Sequence, residues 1–466
     1  MIDLLLVGLI GGPLVLFLMT VIVPRIHASA SVGAFLILCV LVTRTAGLPM
    51  ALPSVGAYQI YVQDILFVIL GPVGLYRLLL RRGGLSSPEI LLLALGAIVL
   101  VSFVRGVGLY GLEFATNSIR TNLYFYSGVL YFCASRIDKA ELNRIAIWVL
   151  AAAGVLAAIA LIQWLFGGAE WVEERLYHGT DQRRTAYSAV RALAAAPTLI
   201  VAQAMLIAFA AWSRRVGISG LQLLGIAFLL VIVALPHRSV WVAASIALIT
   251  LFALESRLRA RLPVLLLVGL PFAFLIAPLL AISSNVPFAD AIADAVSEPF
   301  QANSTFSWRA AGWQNIASYL FGSNIFNILF GLPAGEAAII DLRRFTFLAH
   351  AHNNYLESLT STGVIGLALM IAFYVALIRK LHTYRSASFD AYVAPKMLVA
   401  NIALLMGYFL AYSQSYEQSI FVGLAMAFVR SFGIRYPASA ETQARGAIAI
   451  SQPRASAVGS ALPHTG

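Results

Sequence analysis

Apolar runs long enough to enter a bilayer recur from the first residues of the chain to Phe432, separated by connections that carry basic residues, glycine or proline. A perpendicular membrane helix needs about 20 apolar residues. On this pattern the candidate spans are Leu4–Val23, Ala28–Val42, Ile60–Tyr76, Ile90–Phe103, Ile119–Ser135, Ile145–Phe166, Ala192–Trp212, Ile218–Leu235, Val240–Leu254, Pro263–Ile282, Val364–Ile378, Pro395–Tyr412 and Ser419–Phe432. Several are shorter than a full crossing, so the expectation is about 12 to 13 spans. The first run lacks a small-residue cleavage site and reads as a retained helix. The fold class that follows is all-α: a polytopic transmembrane helical bundle with one large, partly helical extracytoplasmic loop.

Two connections interrupt the rhythm, Gly167–Arg191 and the much longer Ser283–Gly363. Loops of such length inside a compact chain are usually functional or disordered. The second contains Trp308, Trp313, Tyr319, Phe321, Phe326, Phe330 and Phe347, enough aromatic surface to pack short helices at the membrane face, and reads as ordered. The organisation is then residues 1–282 as ten spans, 283–363 as the large loop, 364–432 as the last spans and 433–466 as a flexible cytoplasmic tail rich in Ala, Ser, Gly and Pro.

Composition agrees with the pattern. With 61% hydrophobic and 11% charged residues and a mean hydropathy of +0.88, the chain has too little polar surface to solvate a globule of its size. Charge then orients the spans. Arg25, Arg77, Arg81, Arg82, Arg136, Lys139, Arg144, Arg214, Arg215, Arg257, Arg259, Arg261, Arg379, Lys380, Arg385 and Lys396 flank odd-numbered connections. Only Arg44, Arg105, Arg120 and Arg238 flank the short even-numbered ones. By the positive-inside rule the odd connections and the tail are cytoplasmic, and both long loops face the exterior or periplasm. The net charge of +11 follows from this bias and calls for no nucleic-acid partner. The two cysteines, Cys39 and Cys133, lie inside apolar runs, which leaves no disulfide framework or cysteine metal site to expect.

Candidate chemistry concentrates in Leu348–Leu367, LAHAHNNYLESLTSTGVIGL, where two histidines and two asparagines open a segment leading into an apolar span. Read as a helix, it carries His352 in its first turn and breaks at Thr362–Gly363. A helix start offers free amide donors to a phosphate and disfavours imidazolium, which suits a neutral histidine base. Ser307-Trp308-Arg309 and Phe330-Gly331-Leu332-Pro333-Ala334-Gly335 stand upstream in the same loop, and Pro236-His237-Arg238-Ser239 lies on the same expected face. Asp64, near the start of the third span, reads as a helix-start acid at the interface. The mixed charges between Gly167 and Arg184 read as a solvated surface.

SWRAAGW, ILFGLPAG and AHNNYLESLTSTGVIGL, in that order within one large loop, resemble the signature of the O-antigen ligase and polysaccharide polymerase superfamily. HRSVWVAASIALI is similar to the arginine-bearing helix start that precedes that loop. The resemblance covers Leu235 to Ile378 by motif and the rest by hydropathy. It implies a metal-independent bacterial inner-membrane glycosyltransferase with a periplasmic loop, whose donor is an undecaprenyl-diphosphate-linked glycan. It also implies His352 as the base and Arg309 and Arg238 as diphosphate contacts, with Asn353, Tyr355 and His350 supporting. Arg343 and Arg344 match no motif, but they stand close before the histidines, and Arg344 joins the diphosphate contacts.

Such a transfer needs a base for the attacking hydroxyl, commonly worth about 10²- to 10⁴-fold, and cations for the leaving diphosphate. Fixed guanidinium groups serve that second role without a metal, and no cofactor is expected. Polymerisation of exopolysaccharide or O-antigen repeat units is the leading expectation, with a chain-length regulator as a candidate partner. Ligation to lipid A core or to a protein shares the donor half-site. A transporter, the reading from another class, would place ionisable residues at mid-span.

Overall fold

The computed structural model describes residues 23–52, 59–81, 84–166, 192–213, 220–235, 237–261, 263, 305–336, 352–383 and 389–433. In chain order its helices are α1 (Val23–Ala28), α2 (Ala30–Thr45), α3 (Val62–Leu79), α4 (Ser87–Tyr110), α5 (Leu112–Ala134), α6 (Lys139–Phe166), α7 (Ala195–Trp212), α8 (Gly220–Ala234), α9 (Arg238–Leu254), α10 (Ser256–Ala260), α11 (Thr305–Phe321), α12 (Ile325–Phe330), α13 (Asn354–His382), α14 (Phe389–Tyr408) and α15 (Ser419–Gly433), with a 3₁₀ turn at Tyr416–Gln418. Among the described residues, extended backbone pairs only in an isolated bridge between Ala51 and Tyr61. The all-α expectation therefore holds there.

Every candidate span within the described residues coincides with a helix. Leu4–Val23 and Pro263–Ile282 lie outside them but for one residue each. By length and composition, α3, α4, α6 over Lys139–Gln163, α7 and α13 can cross a membrane, while α2, α8, α9 and the Val393–Tyr408 part of α14 are shorter apolar helices. α5 is long enough, but its first half carries Glu113, Asn117, Arg120 and Asn122. Of these, Arg120 pairs with Asp64 and Asn122 accepts from Gln414.

α7 sits innermost. Nearly all its side chains from Ala195 to Trp212 are buried, and α6, α8, α9 and α14 pack around it. A helix apolar on every side is what an enclosed position requires. α9 packs along α14, α3 and α15 both pack on α5, and α4 packs on α13. α3 and α5 run parallel: the Tyr124 hydroxyl in the middle of α5 donates to Asp64 near the start of α3, and Arg77 Nη1 near the end of α3 donates at 2.6 Å to Ser135 Oγ just after α5. The bundle consequently has one end bearing Arg44, Asp64, Arg105 and Arg120, and an opposite end bearing Arg77, Arg81, Arg136 and Arg430.

The described part of the large loop is helical and docks on the membrane helices through the turn after α12. Ser102 Oγ on α4 donates to the Leu332 carbonyl at 2.8 Å, and Ala334 N donates to the Ser102 carbonyl at 3.0 Å. Arg105 Nη1 donates to the Gly331 carbonyl at 2.8 Å, its Nη2 reaches Asn327 Oδ1, and its guanidinium lies 4.7 Å from the Phe326 ring centre. The same turn crosses the break in α13, where Leu332 N donates to the Thr360 carbonyl at 2.7 Å. Gly363 is non-helical there, with φ 68° and ψ −172°, at the expected Thr362–Gly363 break.

This crossing depends on two glycines. Gly331 (φ 86°) and Gly363 (φ 68°) both occupy the left-handed region, and a Cβ on either would strike the other segment's backbone. Backbone strain of this kind costs about 1–3 kcal/mol before the collision is counted. Gly331→Ala and Gly363→Ala are therefore each expected to lower stability by at least about 1 kcal/mol. Unfolding in detergent checks this, with Gly96→Ala, at an open position of α4, as the control that stays at or above wild type.

Candidate functional site

The start of α13 is built by Asn353. Its side-chain oxygen accepts from Tyr355 N at 3.0 Å and Leu356 N at 3.2 Å, satisfying two of the amides that a helix start leaves open. Its Nδ2 donates to the Leu410 carbonyl at 3.1 Å. The next residue repeats the connection: Asn354 N donates to the Phe409 carbonyl at 2.9 Å, and Asn354 Oδ1 accepts from Gln414 N at 3.1 Å. The Tyr355 hydroxyl donates to the Met406 carbonyl at 2.9 Å. Asn353 and Tyr355, expected as supporting residues, thus anchor α13 to the end of α14 and the turn after it.

That turn, Phe409–Gln414, also collects the other candidates. Arg309 of α11 is half-buried, with its guanidinium 5.7 Å from the Tyr412 ring centre and Nη1 3.5 Å from the Ala411 carbonyl. Among the described residues no carboxylate pairs with Arg309. Its donors are accordingly suited to an anionic guest. The Tyr412 hydroxyl lies 3.5 Å from His237 Nδ1. His237 Nε2 lies 2.6 Å from the Leu193 carbonyl, which can only accept, so Nε2 carries a proton and Nδ1 faces Tyr412. Arg238 opens α9 as its first residue. Its neighbour His237 meets the turn through Tyr412.

His352 corrects one expectation. It precedes the helix instead of occupying its first turn, because Asn353 takes the capping position. It is half-buried with φ 46°, the one non-glycine residue at positive φ among the described residues. Histidine is one of the side chains tolerated there, and such backbone strain concentrates at functional sites. His350 and Arg344, together with Arg343, lie outside the described residues.

Glu357, one turn into α13 and before its break, was not singled out in the sequence. The residue as a whole is half-buried, but its carboxyl is enclosed, and Ser413 Oγ donates to Oε1. Burial pushes the carboxyl up to about 7, partly opposed by the Ser413 hydrogen bond. The polar run Ser413-Gln414-Ser415-Tyr416-Glu417-Gln418 between two apolar helices was the available signal. Gln414 Nε2 reaches Asn122 Oδ1 on α5, which ties the site to a neighbouring polar group where Arg120 Nε meets Asp64 Oδ1 at 3.3 Å. Asp64 also accepts from Tyr61 N at 2.7 Å, the helix-start role read from the sequence. No group of three or more metal-ligating side chains occurs among the described residues.

Compared with protein-family models and with curated proteins, the chain matches none. The site is therefore defined by its own geometry: a cation and an enclosed carboxyl meet one turn at one end of an apolar helical bundle, and a histidine at a strained position stands next to the helix start which that turn holds.

The enclosed carboxyl gives a signed prediction. An unfolded glutamate ionises near 4.5 while folded Glu357 ionises at about 7, so the folded state binds the extra proton between those values. The Glu357 contribution to stability is complete below pH 4.5 and is lost as pH rises through about 7. Glu357→Gln is expected to flatten that part of the stability profile. Thermal unfolding of both proteins across the window checks it; parallel profiles would contradict it.

Proposed function

We propose that this chain is a membrane glycosyltransferase that takes a glycan from an undecaprenyl-diphosphate donor and polymerises exopolysaccharide or O-antigen repeat units. The observation that carries this reading is the convergence of Arg309, the Asn353-capped helix start behind His352, and His237 on the single turn Phe409–Gln414. These residues come from three separated stretches of sequence, each of which holds a residue that the resemblance implies for this chemistry: Arg238 beside His237, Arg309, and His352.

In the reaction, the acceptor hydroxyl oxygen attacks the anomeric carbon, and the bond from that carbon to the lipid diphosphate breaks. His352 takes the hydroxyl proton, and the diphosphate leaves on its lipid with the bonding electrons. Arg309 holds the growing negative charge by charge-assisted hydrogen bonds, each worth roughly 1.5–3 kcal/mol. The Tyr412 ring flanks the guanidinium. Arg238, beside the turn, is the second diphosphate contact. The apolar helices around the site accept the polyprenyl chain, and the end of the bundle that holds the turn is the periplasmic one by charge bias.

Proteoliposomes containing the full chain and a lipid-diphosphate oligosaccharide donor test this. Wild type is expected to lengthen or transfer the glycan, His352→Ala to lose about 10²- to 10⁴-fold, and Arg309→Ala to lose about tenfold or more. Arg309→Lys is expected to recover only part, since a point charge replaces a planar clamp. Full transfer by His352→Ala and Arg309→Ala would overturn the reading.

A further inference from the structure

The end of the bundle opposite the Phe409–Gln414 turn holds a cavity of about 770 Å³. α15 links the two places, since it begins at Ser419 just after the turn and carries Arg430, in its last helical turn, into the cavity wall. Arg77, Arg81, Arg136 and Arg430 all line it, with Ser135 and His27 beside them. These guanidinium groups come from the end of α3, the residues after α3 and α5, and the end of α15.

Most of these side chains are held from behind. Arg77 Nη1 donates to Ser135 Oγ at 2.6 Å and Nη2 to the Ile26 carbonyl at 2.9 Å, while its guanidinium lies 5.0 Å from the Tyr131 ring centre. Arg430 Nη1 donates to the Cys133 carbonyl at 2.9 Å. Arg81 pairs with the buried Glu89 at 2.5 Å, and Glu89 is itself fixed by the Ser86 amide at 2.6 Å. Among the described residues, Arg81 is the one of the four with a carboxylate partner. Arg136 is exposed, and both it and Arg81 lie close enough to Arg430 for their charges to repel, an effect partly offset by the attraction of Glu89.

Charge bias toward one side of a membrane accounts for basic residues at helix ends, but it is satisfied by side chains splayed into water. It does not call for four guanidiniums lining one cavity, with Arg77 and Arg430 braced by carbonyls, a hydroxyl and an aromatic ring and Arg81 by a buried carboxylate. Like charges held together in this way favour an anion with several acceptor oxygens. We propose that this cavity binds a phosphate group, supplied either by the headgroup of an anionic lipid or by free phosphate. Tyr76 and Leu80, exposed apolar residues in the same lining, let the cavity open beside surface that lipid chains can cover.

The test uses the full chain in detergent and two probes. Native mass spectrometry follows binding of phosphatidylglycerol, with phosphatidylcholine as the zwitterionic reference, and calorimetric titration follows inorganic phosphate. Arg136→Gln removes a charge with no recorded hydrogen bond among the described residues, so the fold should survive. Arg136→Lys keeps the charge, and Arg379→Gln removes an exposed arginine from the last turn of α13, outside the cavity.

Arg136→Gln is expected to weaken at least one probe about tenfold, with Arg136→Lys close to wild type and Arg379→Gln unchanged. Loss confined to phosphatidylglycerol assigns a lipid headgroup, and loss confined to inorganic phosphate assigns a soluble anion. The proposal is overturned if wild type binds neither probe, or if Arg136→Gln and Arg379→Gln weaken both equally. If Arg136→Gln lowers the unfolding midpoint, Arg430→Gln is read instead, with the same tenfold change expected for phosphate relative to Arg379→Gln.

Discussion

A helix that begins inside a protein must find partners for its open amides and for the polar side chains that cap it. In this chain the start of α13 finds them in the turn after α14. Asn353 and Asn354 reach the Leu410 and Phe409 carbonyls and the Gln414 amide, and the Glu357 carboxyl closes the contact through Ser413. The rest of the site depends on this junction. It fixes where His352 enters, gives Arg309 an aromatic face to lie on, and brings His237 within reach through Tyr412. Polar groups enclosed this fully are costly when left unpaired, so the junction favours one arrangement over many.

The loop helices are placed by a second junction that reinforces the first. The Gly331–Ala334 turn is fastened to Ser102 and Arg105 of α4 and crosses the break in α13 at Gly363. α11, which carries Arg309, is therefore tied to the membrane helices on both sides. The hydrophobic contacts of Ile316 with Trp313 and Leu356, and of Leu320 with Leu332 and Leu359, fill the space between them. The resulting end of the bundle is polar and structured, and the opposite end gathers its arginines around a cavity. The charge asymmetry read along the chain thus becomes two chemically different surfaces.

The helices were legible because their signal is dense: long apolar runs, basic punctuation and few interior breaks. The break at Thr362–Gly363 and the helix-start role of Asp64 were legible for similar local reasons. The start of α13 was misplaced by two residues, since His352 and Asn353 both look like members of the first turn until the side chain of Asn353 is seen to cap it. Tyr412, Ser413 and Glu357 escaped notice because their role is tertiary. Tyr412 ends an apolar run, and nothing in the run itself says that Arg309, far upstream, lies over its ring. Glu357 reads as an ordinary charge on an amphipathic helix until Ser413 encloses it.

In the proposed function, Arg309 and the Phe409–Gln414 turn form one anion-binding unit. A double-mutant cycle between Arg309→Ala and Tyr412→Ala, read as the affinity of the full chain for a lipid-diphosphate glycan, tests it most directly. If the two act as a unit, either single change removes most of the binding that both remove together, with a coupling of about 0.5–3 kcal/mol. Losses that simply add, or an affinity unchanged by either substitution, would contradict the account.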